Sequence, residues 1–120
     1  MEKEAAAFLL ALLHSSTNAH LMHWTTSSYS QHKTLGKYYS KIIDLADDFA
    51  EAFMGKYEQI NINEFPADYH AATEPITYLE GLSDFVAESR QHLPQDSELQ
   101  QLIDNIEELI DQTLYLLKLN

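Results

Sequence analysis

Apolar residues recur along this chain at intervals of three and four over four long stretches separated by polar breaks. That is the period of amphipathic α-helices. The first stretch, residues 3–24, sets Phe8, Leu9, Leu12, Leu13, Ser16, His20, His23 and Trp24 on one stripe. The stripe begins aliphatic and ends in histidine and tryptophan. Thr25, Thr26, Ser27 and Ser28 form a polar break. The second stretch, residues 30–58, carries a core stripe of Leu35, Tyr38, Tyr39, Ile42, Ala46, Phe49, Ala50 and Phe53. Beside it runs another, made of His32, Gly36, Ile43, Asp47, Ala50 and Met54. A helix with two usable faces calls for two neighbours, one of which can come from another subunit.

An irregular connector, residues 57–73, follows and contains Asn61, Asn63 and Pro66. The third helix is expected over residues 74–93, with Thr73 as N-cap and Pro75 in the first turn. Its apolar face is Ile76, Leu79, Leu82, Phe85, Val86 and Ser89, and Pro94 stops it. The fourth starts at an Asp96 or Ser97 cap, and Ser97 and Gln100 have capping-box spacing. Leu99, Leu102, Ile103, Ile106, Leu109, Ile110, Leu114 and Leu117 carry it to the C-terminus. The expected fold is all-α: one ferritin-like four-helix bundle over residues 1–120, with a longest connector that allows a crossover.

Composition narrows the function classes. Three glycines and three prolines are too few for the many turns of an all-β domain. The absence of cysteine excludes a disulfide scaffold, a thiolate zinc site, an iron–sulfur site and a cysteine nucleophile. Nineteen acids against seven bases give a formal charge of −12. Such a surface repels phosphates, so no nucleic-acid binding is expected; it draws cations or a basic partner. The leading Met1-Glu2-Lys3-Glu4 is not net positive and no Ala-x-Ala site follows, so residues 5–13 read as helix rather than signal peptide. No apolar run approaches the ~20 residues of a membrane span. A cytoplasmic protein without a membrane partner is expected, in the host cytoplasm if the chain is viral.

Three of the six histidines, His20, His23 and His32, crowd the hairpin between the first two helices. Asp47 and Glu51 follow along the second helix, four residues apart and so on one face. Imidazole and carboxylate together suit iron, with manganese or zinc as alternatives. His32 and Asp47 are separated by fifteen residues, roughly 22 Å of helix. They cannot bind one ion within one chain. Either the two groups are unrelated, or a second subunit packs antiparallel across the second helix and brings its Asp47 and Glu51 to the histidines. The site then exists only in a homodimer or higher homo-oligomer. A single histidine on an apolar stripe is more often a core residue than a ligand, so the weight rests on the set.

The run His23-Trp24, a short gap, His32, then Asp47 and Glu51 in Asp-Asp-Phe-Ala-Glu resembles the signature of the Dps-type mini-ferritins. The resemblance covers residues 5–57. It implies His23, His32, Asp47 and Glu51 as ligands of a ferroxidase centre across a two-fold interface, with Trp24 beside it. The gap from His23 to His32 is three residues shorter than in that family, and Thr25 stands where Asn usually follows. His20, one turn earlier on nearly the same face, is the alternative ligand. A Lys-rich N-terminal tail is missing, and the connector is short for the family's extra helix, so neither DNA binding nor a dodecameric shell is implied. The third and fourth helices lack a Glu-x-x-His motif, which argues against a di-iron site inside one bundle. Residues 13–57 resemble more closely a family of small, functionally uncharacterised tailed-phage proteins.

Three functions follow as expectations. The first is iron binding, with oxidation of Fe(II) by a ferroxidase-type enzyme as its active form. The second is capture of a host protein by an acidic phage protein, through mimicry of DNA charge. The third is a structural bundle with a relic site. Glu88 and His92 are expected as a surface pair, and Glu107, Glu108 and Asp111 as solvated charge. Tyr29, Tyr38, Tyr39 and Tyr57 are expected as core or interface aromatics.

Overall fold

Caps and short breaks decide where each helix begins. The computed structural model describes residues 1–119. It contains α1 (Glu2–Thr25), α2 (Tyr29–Lys56), α3 (Pro75–Ser89) and α4 (Ser97–Leu117). Single 3-10 turns lie at Ile62–Glu64 and Arg90–His92. Among the described residues there is no strand. Ser28 caps α2 by accepting from the Gln31 amide at 3.3 Å. Glu74, rather than Thr73, caps α3, its carboxylate accepting from the Thr77 amide at 2.7 Å. α3 ends four residues short of the expected Leu93, because its last turn tightens into 3-10 geometry ahead of Pro94. The expected Ser97–Gln100 capping box does not form. Asp96 is the N-cap of α4, and the Gln100 amide instead donates to the carbonyls of Arg90 and Pro94, at 3.2 and 3.0 Å.

α1 packs against α2 and α3, and α4 packs against the same two, so α1 and α4 lie on one diagonal and α2 and α3 on the other. α1 and α2 form one antiparallel hairpin and α3 and α4 a second. The C-terminal end of α2 meets the start of α4, where Lys56 lies 3.2 Å from Asp96. There too the Glu2 carboxylate, at the start of α1, accepts from the Asn61 amide at 2.7 Å. The start of α3 sits at the opposite end: Pro75 and Thr73 line a groove with Met22, Thr26 and Gln31. The connector therefore runs the length of a molecule 44 Å long, and α2 and α3 point the same way. One long crossover thus joins two antiparallel hairpins into an all-α four-helix bundle.

The connector does not run free. Asn18 is 1% exposed, and its side chain holds three points of the crossover. Its amide donates to the His70 carbonyl at 3.0 Å. Its oxygen accepts from the Tyr69 hydroxyl at 2.6 Å and from the Ala72 amide at 3.2 Å. A buried amide so satisfied stabilises the pass of the chain along α1; left unpaired it would oppose folding.

Leu12, Leu35, Ile42, Leu79, Leu99, Ile103, Ile106 and Ile110 fill the core, with Phe8 edge-on to Phe49 at 5.1 Å. Tyr38 is fully buried, and Ser15 is its partner at 2.7 Å. The Ser15 hydroxyl already donates to the Leu12 carbonyl, so the phenol must be the donor between them. Burial raises the phenol pKa far above its ordinary range. Two residues of the expected apolar faces, Leu13 and Phe85, lie outward, and Trp24 at the end of the first stripe is 66% exposed. Leu13 sits on a flank of α1 that neither neighbour covers, and Trp24 projects from the last turn of α1 with His20 beside it. Tyr29 and Tyr57 are exposed as well, Tyr29 at the first residue of α2 and Tyr57 just past its end. Glu107 is not solvated charge: it is half-buried against Arg90, which the 3-10 turn aims across α4 toward Asp104 at 2.8 Å. Glu88 and His92 do form the expected exposed pair, at 3.2 Å.

A paired-imidazole site at the α1–α2 hairpin

The break between α1 and α2 is only three residues long, so the end of one helix lies beside the start of the other. The last carbonyls of a helix have no partner within it. His32 supplies one: its Nδ1 donates to the His23 carbonyl at 2.8 Å. His23 returns the bond, its Nδ1 donating to the His32 carbonyl at 2.5 Å. Because a carbonyl can only accept, both Nδ1 atoms carry a proton. In the neutral imidazole Nε2 is then an acceptor, and no hydrogen bond engages either Nε2 among the described residues. The rings stack with centroids 3.8 Å apart and planes 14° from parallel.

Gly36 makes room for this. A Cβ built there would stand 3.0 Å from His23 Cε1 and 3.2 Å from its Nδ1. The His23 ring thus lies directly on the backbone of α2. His20, one turn earlier, stacks on Tyr39 at 3.9 Å and 7°. Tyr39 also meets the His23 ring, at 5.4 Å, and Trp24 lies 4.6 Å from His20. Trp24, His20, Tyr39, His23 and His32 form one continuous aromatic ladder, with Tyr29 6.4 Å beyond His32. His20 and His23 are half-buried and His32 is exposed.

The expected ligands thus divide into two groups. His20, His23 and His32 come together at the hairpin; Asp47 and Glu51 stand exposed in the other half of α2. Asp47 shares its stripe with Ile43, Ala50 and Met54. Those three are half-buried while Asp47 is exposed, so water solvates its charge in the single chain. Among the described residues no three His, Asp or Glu side chains converge to hold a metal ion within one chain. Sequence reasoning missed Gly36 as the seat of His23 and Tyr39 as the partner of His20. An isolated glycine inside an otherwise unbroken helical pattern was the available signal for the first.

The chain is 27% identical over 116 residues to an uncharacterised 14.6 kDa protein of the mobD–ri intergenic region of Enterobacteria phage T4, covering 97% of this chain and 89% of that one. No solved structure matches it. Residues 23–117 match DUF5856, a family of unknown function, and the chain belongs to that family.

Proposed function

We propose that the protein binds a divalent metal, iron first, between two copies of the chain. His23 and His32 of one copy supply imidazole Nε2, and Asp47 and Glu51 of the other supply carboxylate. The observation that carries this reading is the reciprocal Nδ1 bonding of His23 and His32. Histidines that ligate metals almost always donate their other ring N–H to a carbonyl or carboxylate, which fixes the tautomer with its lone pair outward. Here both rings are so fixed before any ion arrives. The i, i+4 spacing of Asp47 and Glu51 leaves both carboxylates on one exposed face of α2, suited to a hard or borderline cation. The resemblance to the Dps-type mini-ferritins supports iron over manganese or zinc. Oxidation of bound Fe(II) would need an external electron acceptor such as dioxygen or peroxide.

The test is anaerobic calorimetric titration of Fe(II) into the wild type and into an Asp47→Ala, Glu51→Ala variant. Both residues are exposed and outside the core, so the variant keeps its fold. Saturable binding lost in the variant supports the site. A wild type that takes up no Fe(II), Mn(II) or Zn(II) overturns it.

A second reading, capture of a basic host protein, is favoured by the outer faces of α3 and α4. Asp84, Glu108 and Asp111 are exposed there and take part in no ion pair among the described residues. Reversing the charges of Glu108 and Asp111 would abolish retention of a basic partner while leaving metal binding intact.

A further inference from the structure

The outer face of α2 is divided by charge. Its first half carries Lys33, Lys37 and Lys41, three of the seven bases in the chain. Its second half carries Asp44, Asp47, Asp48 and Glu51. All seven side chains are exposed. None enters an ion pair among the described residues, although Lys56, Arg90 and Lys118 all do. The inner faces of α2 are taken up by α1 and α4; Lys33 and Lys37 line a groove beside Leu116 of α4 and Lys41 one beside Glu108, and all seven charged side chains remain exposed along the open side of the helix.

We propose that this face pairs antiparallel with the same face of a second copy, in a register set by charge. An antiparallel two-fold contact lays the basic half of each helix on the acidic half of the other. The register that sets His32 between the partner's Asp47 and the partner's Glu51 puts the two-fold axis between Ser40 and Lys41. That same register sets Lys33 against the partner's Asp48 and Lys37 against the partner's Asp44, and symmetry repeats both pairs. The position chosen by the imidazoles is thus the position that matches lysine to aspartate. Parallel pairing would set lysine on lysine and carboxylate on carboxylate, and an antiparallel shift by half the helix would set lysine on lysine in one direction or carboxylate on carboxylate in the other. A chain of net charge −12 repels its own copies at long range, so a local match of this kind is what favours this face over the rest of the surface. The inference rests on the metal reading for its two-fold arrangement and on charge for its register; Lys33, Lys37, Asp44 and Asp48 enter it as specificity residues that no metal contact requires.

Sedimentation velocity in the presence of chelator tests it, on the wild type, on Lys33→Glu, Lys37→Glu, on Asp44→Lys, Asp48→Lys, and on a one-to-one mixture of the two variants. The wild type is expected as a dimer that weakens as salt rises from about 0.05 to about 0.5 M. Each variant sets like charge on like and is expected to dissociate at least about tenfold more readily. In the mixture every pair is again opposite in sign, so a heterodimer forms, which also shows that both variants are folded. A wild-type monomer, a variant that dimerises as tightly as the wild type, or a mixture that stays monomeric overturns the pairing. The two readings fail separately. A charge-paired dimer that binds no metal removes the metal reading alone, and a chain that dimerises only on adding Co(II) removes the charge register alone.

Discussion

His23 and His32 close the α1–α2 hairpin reciprocally, each imidazole Nδ1 donating to the backbone carbonyl of the other residue, at 2.5 and 2.8 Å. The bonds fix both rings in the tautomer that leaves Nε2 as acceptor, and they do so with backbone groups rather than with other side chains. Orientation of the pair therefore depends on how closely α1 and α2 approach, and that approach is set at Gly36.

Gly36→Ala separates the ligand role of His23 from its structural role. The added methyl would stand 3.0 Å from the ring and must push it off the helix. Displacing the ring costs about 1–2 kcal/mol, and replacing glycine by alanine inside a helix returns about 1 kcal/mol. Urea unfolding should thus shift by no more than about 1 kcal/mol. Metal affinity should fall by about tenfold or more, as it does when a ligand loses its orienting partner. Calorimetry on the same samples reads both.

Asn18→Ala should loosen the crossover without opening the helical core. The substitution leaves the Tyr69 hydroxyl, the Ala72 amide and the His70 carbonyl without their partner. Because water can reach part of this exposed connector, the expected loss is about 1–3 kcal/mol. Limited proteolysis should cut within residues 57–74 well before any helix, and urea unfolding gives the global loss.

Acid should weaken the bundle at the Glu74 cap and at the Asp96 carboxylate. Hydrogen bonding from the Thr77 backbone amide holds the Glu74 carboxyl below its ordinary value of 4.5. The Tyr57 hydroxyl and Lys56 likewise hold Asp96 below 3.8. A carboxyl depressed in the folded state contributes stability above its unfolded pKa, and that contribution is lost as pH falls through the folded value. The urea midpoint should therefore drop between about pH 5 and pH 3. Glu74→Gln should be less stable at neutral pH and should lose less on acidification. A variant with the same acid slope as the wild type would show that the cap carries none of it.

The helices were legible because their signals are local. The 3.6-residue period marked all four, Pro75 and Pro94 marked the ends of α3, and the long connector left room for a crossover. What escaped depends on distant partners. Thr73 looks like a better N-cap than Glu74, yet the carboxylate reaches the Thr77 amide. Gln100 sits at capping-box spacing, yet its side-chain amide is taken by the carbonyls of Arg90, in the 3-10 turn, and of Pro94. Asn18 gave no sequence signal, since its partners lie more than fifty residues away. In the candidate site, the clustering of His20, His23 and His32 was readable from the shortness of the break. The carbonyl bonding of the pair was not, because it needs the relative rotation of two helices that only the packed core fixes.

Complementation between two half-sites tests the central claim most directly. A His23→Ala, His32→Ala chain keeps both carboxylates, and an Asp47→Ala, Glu51→Ala chain keeps both imidazoles. Each alone should bind no Fe(II) in an anaerobic titration. Mixed in equal amounts and allowed to exchange subunits, they should form heterodimers with one intact site each. Random pairing makes half of the dimers mixed, so about a quarter of the wild-type capacity should return. Recovery at that level places imidazole and carboxylate from different chains on one ion. A mixture that binds no more than its separate components, while the wild type binds, would show that the two groups never share a metal.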